Sequence, residues 1–384
     1  MEEWKKYKLG EILTVKYGKD HKKLDAGSIP VYGSGGLMRF VNSYICDSPS
    51  ILIPRKGSLN NVMYVEHPFW TVDTMFWTII DTTIAVPRFV YYAICKIDFE
   101  SLNVGSAVPS MTVPIIEDIE IFLPSLDEQK RIVKVLSSLE SKIELNRQIN
   151  DNLEQQAQAL YKSWFVDFEP FKNAKFIESE LGLIPEGWKI GKINDVINLL
   201  SGFPFKSSDF QENGDYQLIT IKGVQDGYLD VTSADRLSSL PSKMPQYCIL
   251  NIGDILISLT GNVGRICIVD RNNLLLNQRV AILSPKNIRD SFYAYTMFRS
   301  ESMKNELIHL ARGTAQLNLS PIETGEKLTV IPPDSILEAF AKVGKGTFNQ
   351  YISLKMENIR LMEMRDSLLP KLMSGELKIN EIDC

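Results

Sequence analysis

The chain starts the same way twice. Residues 2–12 read "EEWKKYKLGEI" and residues 186–196 read "EGWKIGKINDV". Glu2 falls on Glu186, Trp4 on Trp188, Lys8 on Lys192, and Leu9 and Ile12 on Ile193 and Val196. A second echo joins "VGSAVPSMTVPII" (104–116) to "RGTAQLNLSPIET" (312–324), and a third joins "FLPSLDEQKRI" (122–132) to "VIPPDSILEAF" (330–340). The third pair reads as two aliphatic-proline approaches to a helix, with Ser125 and Glu128 as one capping box and Ser335 and Glu338 as another. An internal repeat on this scale predicts a duplicated architecture. The middles between the echoes diverge. Trp4 and Pro124 are 120 positions apart, whereas Trp188 and Pro332 are 144 apart, so the second middle is 24 residues longer.

Each proline approach leads into a long periodic stretch. After Ser125, the residues Ile132, Leu136, Leu139, Ile143, Asn146, Asn150, Leu153, Ala157, Leu160 and Trp164 step by 4 and 3 for about five heptads, the spacing of a coiled-coil seam. No Gly or Pro interrupts this stretch before Pro170. At ~1.5 Å per residue, a helix over 125–166 would be roughly 60 Å long. In the second half, "GKG" (344–346) predicts a bend or a late start. Beyond it, Tyr351, Leu354, Asn358, Leu361, Arg365, Leu368 and Leu372 repeat the pattern, with Pro370 near the end. Core packing of one stripe on the other is the simplest use of such seams, with Asn146, Asn150 and Asn358 as polar positions that fix register. A globular unit precedes the first helix and another follows it, so an antiparallel helix pair would carry one at each end.

The middles read as mixed helix and strand. "ILIPRKGSLNNVMYV" (51–65) and "DILISLTGNVGRICIV" (254–269) each give strand, small-residue loop, strand. "RFVYYAICKI" (88–97) and "SFYAYTMFRSESMKNELI" (291–308) read as helices. The expected fold class is α+β: two α/β domains joined by two long antiparallel coiled-coil helices, with a pseudo-two-fold internal repeat. The expected boundaries are 1–124 and 169–330 for the domains, and 125–168 and 331–384 for the helices.

Little in the sequence suggests chemistry. Cys46, Cys95, Cys248, Cys267 and Cys384 are scattered without a CxxC pair, and His21, His67 and His309 stand apart, so neither a metal site nor a disulfide framework is expected. There is no P-loop, no G-x-G-x-x-G after a strand, no G-x-S-x-G and no H-E-x-x-H. No catalytic residue is assigned. No apolar run reaches the ~18 residues of a membrane span and the first residues lack a signal-peptide pattern, which predicts a cytoplasmic protein without a membrane partner. The net charge of −5 leaves the local distribution of Lys and Arg as the guide to any nucleic-acid surface.

A Trp-Lys opening, a divergent α/β domain, "LPSLDEQKRI" leading to a long helix that ends "ALYKSWF", and the same plan again ending "SLLPKLMSGEL" together resemble the specificity (S) subunit of type I restriction–modification systems. The resemblance covers nearly the whole chain, with "PPDSILEAF" departing from the usual Glu-Gln step. It implies that the two divergent units are target-recognition domains, each reading one half of a bipartite, asymmetric double-stranded DNA sequence. The helix pair would be the spacer that sets the gap and docks two methyltransferase (M) subunits. S-adenosylmethionine would be bound by those partners, which methylate adenine, and not by this chain; whether restriction (R) subunits join is left open. An autonomous methyltransferase or nuclease with unrecognised motifs, or a scaffold without a DNA role, are the competing readings.

On that resemblance, polar loop residues become candidate DNA contacts, because Lys and Arg meet phosphate or guanine while Asn and Gln suit adenine. Domain one offers Lys16, Lys19, Lys22 and Lys23, then Tyr32 and Ser34, then Arg55, Lys56, Ser58 and Asn60. Domain two offers Lys206, Ser207 and Lys222, then Thr260, Asn262 and Arg265, then Asn277, Gln278 and Arg279. A lysine cluster is also an ordinary solvated face, and Gly-Asn turns are ordinary hairpins.

Overall fold

A computed structural model describes residues 4–313 and 316–379; Glu2, Thr314, Ala315 and Cys384 lie outside them. The chain divides into two compact units, 1–143 with 361–384, and 144–360. The division cuts both long helices, α4 (Leu126–Phe165) and α8 (Asp334–Met373), so each unit contains a globular head and a portion of both.

In head one the strands are β1 (Lys5–Lys8), β2 (Leu13–Tyr17), β3 (Ile29–Gly33), β4 (Gly36–Val41), β5 (Ser50–Pro54), β6 (Met63–Val65), β7 (Trp70–Thr71), β8 (Met75–Ile80) and β9 (Glu120–Leu123). The helices are α1 (Leu9–Ile12), α2 (Pro87–Ile94) and α3 (Val113–Glu117). One sheet has the order β2-β8-β5-β6 and a second β4-β3-β7. β5 is internal and buried at every residue, which accounts for the apolar run "ILIP" that follows Ser50, whose own buried hydroxyl donates to Thr78 O at 2.8 Å.

Head two opens with a hairpin of β10 (Phe176–Ser179) and β11 (Gly182–Pro185). Then follow β12 (Lys189–Lys192), β13 (Ile197–Ser201), β14 (Tyr216–Ile219), β15 (Arg236–Leu237), β16 (Ile249–Leu250), β17 (Ile255–Ser258), β18 (Ile266–Ile268), β19 (Leu274–Leu276), β20 (Val280–Pro285) and β21 (Leu328–Ile331). Its helices are α5 (Ser291–Arg299), α6 (Glu301–Leu310) and α7 (Pro321–Glu326). One sheet has the order β13-β20-β17-β18 and the other β15-β14-β19-β16.

The sequence echoes now have a structural meaning. β1 pairs antiparallel with β9, placing Lys5 opposite Leu123, and β12 pairs antiparallel with β21, placing Lys189 opposite Ile331. The repeated opening and the repeated approach to the helix are therefore the two edges that close each head. The same small contacts recur at the corner. Lys8 N–H donates to Glu11 Oε2 at 2.6 Å and Lys192 N–H to Asp195 Oδ2 at 2.8 Å. The Lys8 and Lys192 ammonium groups pair with Asp118 and Glu326. The four-stranded sheets β2-β8-β5-β6 and β13-β20-β17-β18 share one topology, and in each second sheet a parallel pair recurs, β3 with β7 and β14 with β19.

The helices pack as their seams predict. In the first unit, Ile132 and Leu136 of α4 share a core with Leu369 and Leu372 of α8. In the second, Leu153 and Ala157 of α4 share a core with Phe348 and Tyr351 of α8. Higher numbers on one helix meet lower numbers on the other, which makes the pair antiparallel. Ile143, Asn146, Asn150 and Asn358 are buried; Leu139, Leu160, Leu354, Leu361 and Leu368 are half-buried, and Leu369 rather than Leu368 is the fully inward residue.

Three expectations need correction. The strand register puts Ile331 where Leu123 lies, so Pro333 matches Ser125 and Leu337 matches Gln129. α8 therefore begins at Asp334, and Ser335 lies inside it rather than capping it. Asp334 and Glu338 instead take the Arg289 guanidinium. Second, α8 runs straight through Gly344 and Gly346. A Cβ on Gly344 would lie 2.0 Å from the Phe292 ring, so the glycine admits a close helix contact and does not break the helix. Third, 291–308 is two helices, broken at Ser300, whose hydroxyl accepts from Met303 N–H at 3.3 Å.

Candidate nucleic-acid interface

The candidate loops of each head converge on one β-turn. In head one the turn is residues 72–75, with Met75 N–H donating to Val72 O at 3.0 Å; in head two it is 277–280, with Val280 N–H donating to Asn277 O at 2.9 Å. Both turns are held by the same additional backbone bonds. Gly18 N–H donates to Met75 O and Gly202 N–H to Val280 O, both at 3.0 Å. Lys19 N–H donates to Thr71 O and Phe203 N–H to Leu276 O. Arg55 N–H donates to Thr74 O and Leu259 N–H to Arg279 O. Val72 N–H donates to Tyr32 O and Asn277 N–H to Ile219 O. A Cβ on Gly18 would sit 2.0 Å from Val72 O, and one on Gly202 2.3 Å from Leu276 O, so the crossing strand must be glycine in both heads.

In head one this arrangement gathers the predicted segments 16–23, 32–34 and 54–58. Lys16, Lys19, Lys22, Lys23, Lys56 and Ser58 are exposed. Among the described residues, the ion pairs of this head lie elsewhere, as at Lys6–Glu120 and Arg88–Glu66. Arg55 stacks over Tyr17, 5.3 Å from the ring centre, and donates to Asp73 O at 3.2 Å. A groove of about 680 Å³ lies between the lysine-bearing segment and the β3–β4 hairpin, lined by Asp20, His21, Lys22, Ser34, Met38 and Asp73 among others. Met38 is the extra residue of a bulge, between Tyr32↔Leu37 and Val31↔Arg39. Lys22 N–H, donating at 3.0 Å, holds the Asp20 carboxyl below the usual range, and burial raises the Tyr32 phenol. Asn60 is engaged within the head, where its amide donates to Asp98 and accepts from Glu100 N–H.

In head two, Lys206, Ser207, Lys222, Asn262, Gln278 and Arg279 are exposed, while Thr260, Arg265 and Asn277 are partly covered. Arg265 donates to Gln225 Oε1 at 2.6 Å, and Gln225 donates to Lys222 O at 2.7 Å. Asn277 Oδ1 accepts from Arg279 N–H at 3.2 Å. The segment 316–319 also joins, through Gly261 N–H to Leu317 O and Leu319 N–H to Leu259 O. Sequence reasoning passed over Asp73, Thr74, Met38, Gln225 and Asn318, which stand outside its basic and glycine-rich clusters, and Tyr17, which sits inside the 16–23 cluster but carries no charge to draw notice.

Each head is also locked to α4. Tyr92 donates to Glu140 Oε2 at 2.6 Å, and Tyr295 donates to Glu154. The tyrosines occupy matching places in F-x-x-Y sequences, Phe89–Tyr92 and Phe292–Tyr295. In head two the lock grows into a buried network, with Arg299 3.1 Å from Glu154 and also paired with Asp226. Lys355 of α8 donates to Gly227 O at 2.7 Å. Burial lowers the Lys355 ammonium and pushes the Cys267 thiol up to about 12.

Among the described residues, no group of three His, Cys, Asp or Glu could hold a metal ion, and no helix is long and apolar enough to cross a membrane.

Known proteins share this plan. The MjaIX type I restriction enzyme specificity subunit of Methanocaldococcus jannaschii is 28% identical over 345 residues, spanning 87% of this chain and 78% of the relative. The MjaVIII specificity subunit of the same organism is 30% identical over 298 residues, spanning 74% and 68%. The crystal structure of the S subunit of a type I restriction–modification system from M. genitalium superposes with a TM-score of 0.60 over 97% of this chain and 96% of that one, at 18% identity, a likeness of fold. Residues 1–155 and 185–333 each match the type I restriction modification DNA specificity domain, the two matched stretches contain the two heads, and the chain belongs to that family.

Proposed function

We propose that this chain is the sequence-reading subunit of a type I restriction–modification complex. Each head reads one half of a bipartite, asymmetric DNA target, and the helix pair fixes the spacing and docks two methyltransferase subunits. The observation that supports this reading best is a repeated frame with unlike contents. The same backbone bonds hold a turn in both heads, yet its central residues are Asp73 and Thr74 in head one and Gln278 and Arg279 in head two. Phosphate contacts position a protein on DNA and base contacts specify the sequence, so a shared scaffold with different side chains suits two different half-sites.

S-adenosylmethionine and adenine methylation belong, on this reading, to the methyltransferase partner, and the chain acts in the cytoplasm. The flipped adenine enters the partner's pocket while this chain holds the duplex on either side. The test is to assemble the chain with its methyltransferase subunits and map methylated adenines across a random-sequence library. A two-part motif with a fixed gap is expected. Methylation by this chain alone would overturn the division of labour, and methylation by the complex without sequence preference would overturn the reading of the heads.

A further inference from the structure

The turn at 72–75 and the turn at 277–280 are clamped by five matching backbone hydrogen bonds, so their central residues occupy the same place in the same frame. Those residues are Asp73 and Thr74 in head one, and Gln278 and Arg279 in head two. All four reach the surface, at least in part. In head one both line the groove with Lys22, Ser34 and Met38.

The groove carries two carboxylates, Asp20 and Asp73, beside Lys22, and an exposed aspartate is out of place on a surface that only follows the DNA backbone, because phosphate repels it. Its use lies at a base edge, where a carboxylate accepts from the amino group of cytosine or, by the same chemistry, of adenine. The matching residues in head two have the complementary repertoire: a glutamine amide pairs twice with adenine and a guanidinium twice with guanine. The backbone clamp adds what base reading needs, a fixed support for the side chains it carries. The Met38 thioether, delivered to the same groove by the bulge, supplies apolar surface of the kind that meets a thymine methyl.

We propose that the central pair of this turn is a base-reading element in both heads, and that Asp73 is a specificity-determining residue that selects, at the position it faces, an amino-bearing base (cytosine or adenine) over a keto base (guanine or thymine). This rests on the reading of the heads as DNA recognition domains and goes beyond it by naming the element and the chemistry it selects.

The experiment uses full-length D73A, D73N and Q278A, each assembled with its methyltransferase subunits, with methylated adenines mapped on random-sequence DNA beside the unaltered complex. D73A is expected to relax one base position in one half-site by roughly tenfold or more, leaving the other half-site unchanged. D73N, whose amide donates as well as accepts, is expected to shift the preference at that same position. Q278A is expected to alter the other half-site. Retention of the untouched half-site within each variant shows that the protein is folded. The inference is overturned if D73A and D73N keep every preference of the unaltered complex. Uniformly weaker modification with unchanged preferences would also overturn it, and would make Asp73 a structural residue. If the unaltered complex itself shows no sequence preference, the reading of the heads falls and this inference with it; a specific unaltered complex with an indifferent Asp73 removes this inference alone.

Discussion

Asn146 on α4 donates its side-chain amide to Asn358 Oδ1 on α8 at 2.9 Å, and both residues are buried. The same amide reaches Glu357 Oε2 at 2.7 Å. A polar pair in an apolar seam meets in one register only, so it selects the alignment of the helices, and the buried Asn146 Oδ1, which accepts no hydrogen bond among the described residues, is part of its cost in stability.

Replacing one member of the pair takes a hydrogen bond from the other. N146L is expected to lower stability by about 1–3 kcal/mol, because the buried Asn358 carbonyl loses this donor. The double variant N146L/N358L should recover part of that loss, since neither amide then remains while Glu357 Oε2 still loses the Asn146 donor. Urea denaturation of the three proteins checks both; a double variant as weak as the single one would show that the seam is held by something else.

Gly344 and Gly346 stand on the same helix and should respond in opposite ways. A Cβ on Gly344 meets the Phe292 ring at 2.0 Å, whereas one on Gly346 meets nothing within 4 Å. G344A is expected to cost about 1–3 kcal/mol through overpacking, and G346A to add about 0.5–1 kcal/mol through helix propensity. Thermal melting of the two variants distinguishes the sites.

Lys355 gives a pH dependence with a defined sign. Burial lowers its folded-state pKa from the ordinary 10.5. Between the lowered value and 10.5 the unfolded chain binds more protons than the folded one, so stability attributable to this residue rises with pH across that window and is smallest below it. K355M removes the titrating group. The stability of the unaltered protein relative to K355M should therefore increase as pH rises towards 10.5, as followed by urea denaturation at each pH; a decrease would mean that the buried ammonium is favoured by Asp270 and Glu154.

Head one should be replaceable as a block. β1 and β9 bring Lys5 and Leu123 side by side, so a relative's first head can be joined to α4 at one point, in place of residues 1–124. The chimaera, assembled with methyltransferase subunits, is expected to change one half-site and keep the other. A change in both, seen by methylation mapping, would contradict independent heads.

The large features were legible because they are periodic or repeated. The seam from Ile132 to Leu160 announces α4, and the Trp4/Trp188 echo marks the two closing edges. The capping box at Ser335 misled, because a serine and a glutamate three apart occur by chance two residues away from the true start, which the strand register alone reveals. Gly344 reads as a breaker because a sequence cannot show that Phe292 fills the space beside it. The lysines of 16–23 and the Asn277–Arg279 run stand out by composition. Asp73 does not, since its equivalence with Gln278 resides in backbone hydrogen bonds and leaves no trace in side-chain identity. Twenty of the 24 extra residues of head two lie between its Gly202 and Leu259, against Gly18 and Arg55 in head one, so simple alignment loses step before it reaches the turn.

The core of head one has a consequence for biosynthesis. Leu9, Ile12, Ile132 and Leu136 share that core with Leu369 and Leu372, which a ribosome adds more than two hundred residues after Leu136. Domains emerging from the ribosome generally fold in order, as units. Here head two, whose core is drawn from residues 149–354, can be completed while head one is still missing part of its interior. The part of the chain translated first is thus the last to finish folding, and a nascent chain stalled before Leu369 should resist proteolysis in its later half and be cut in its earlier one.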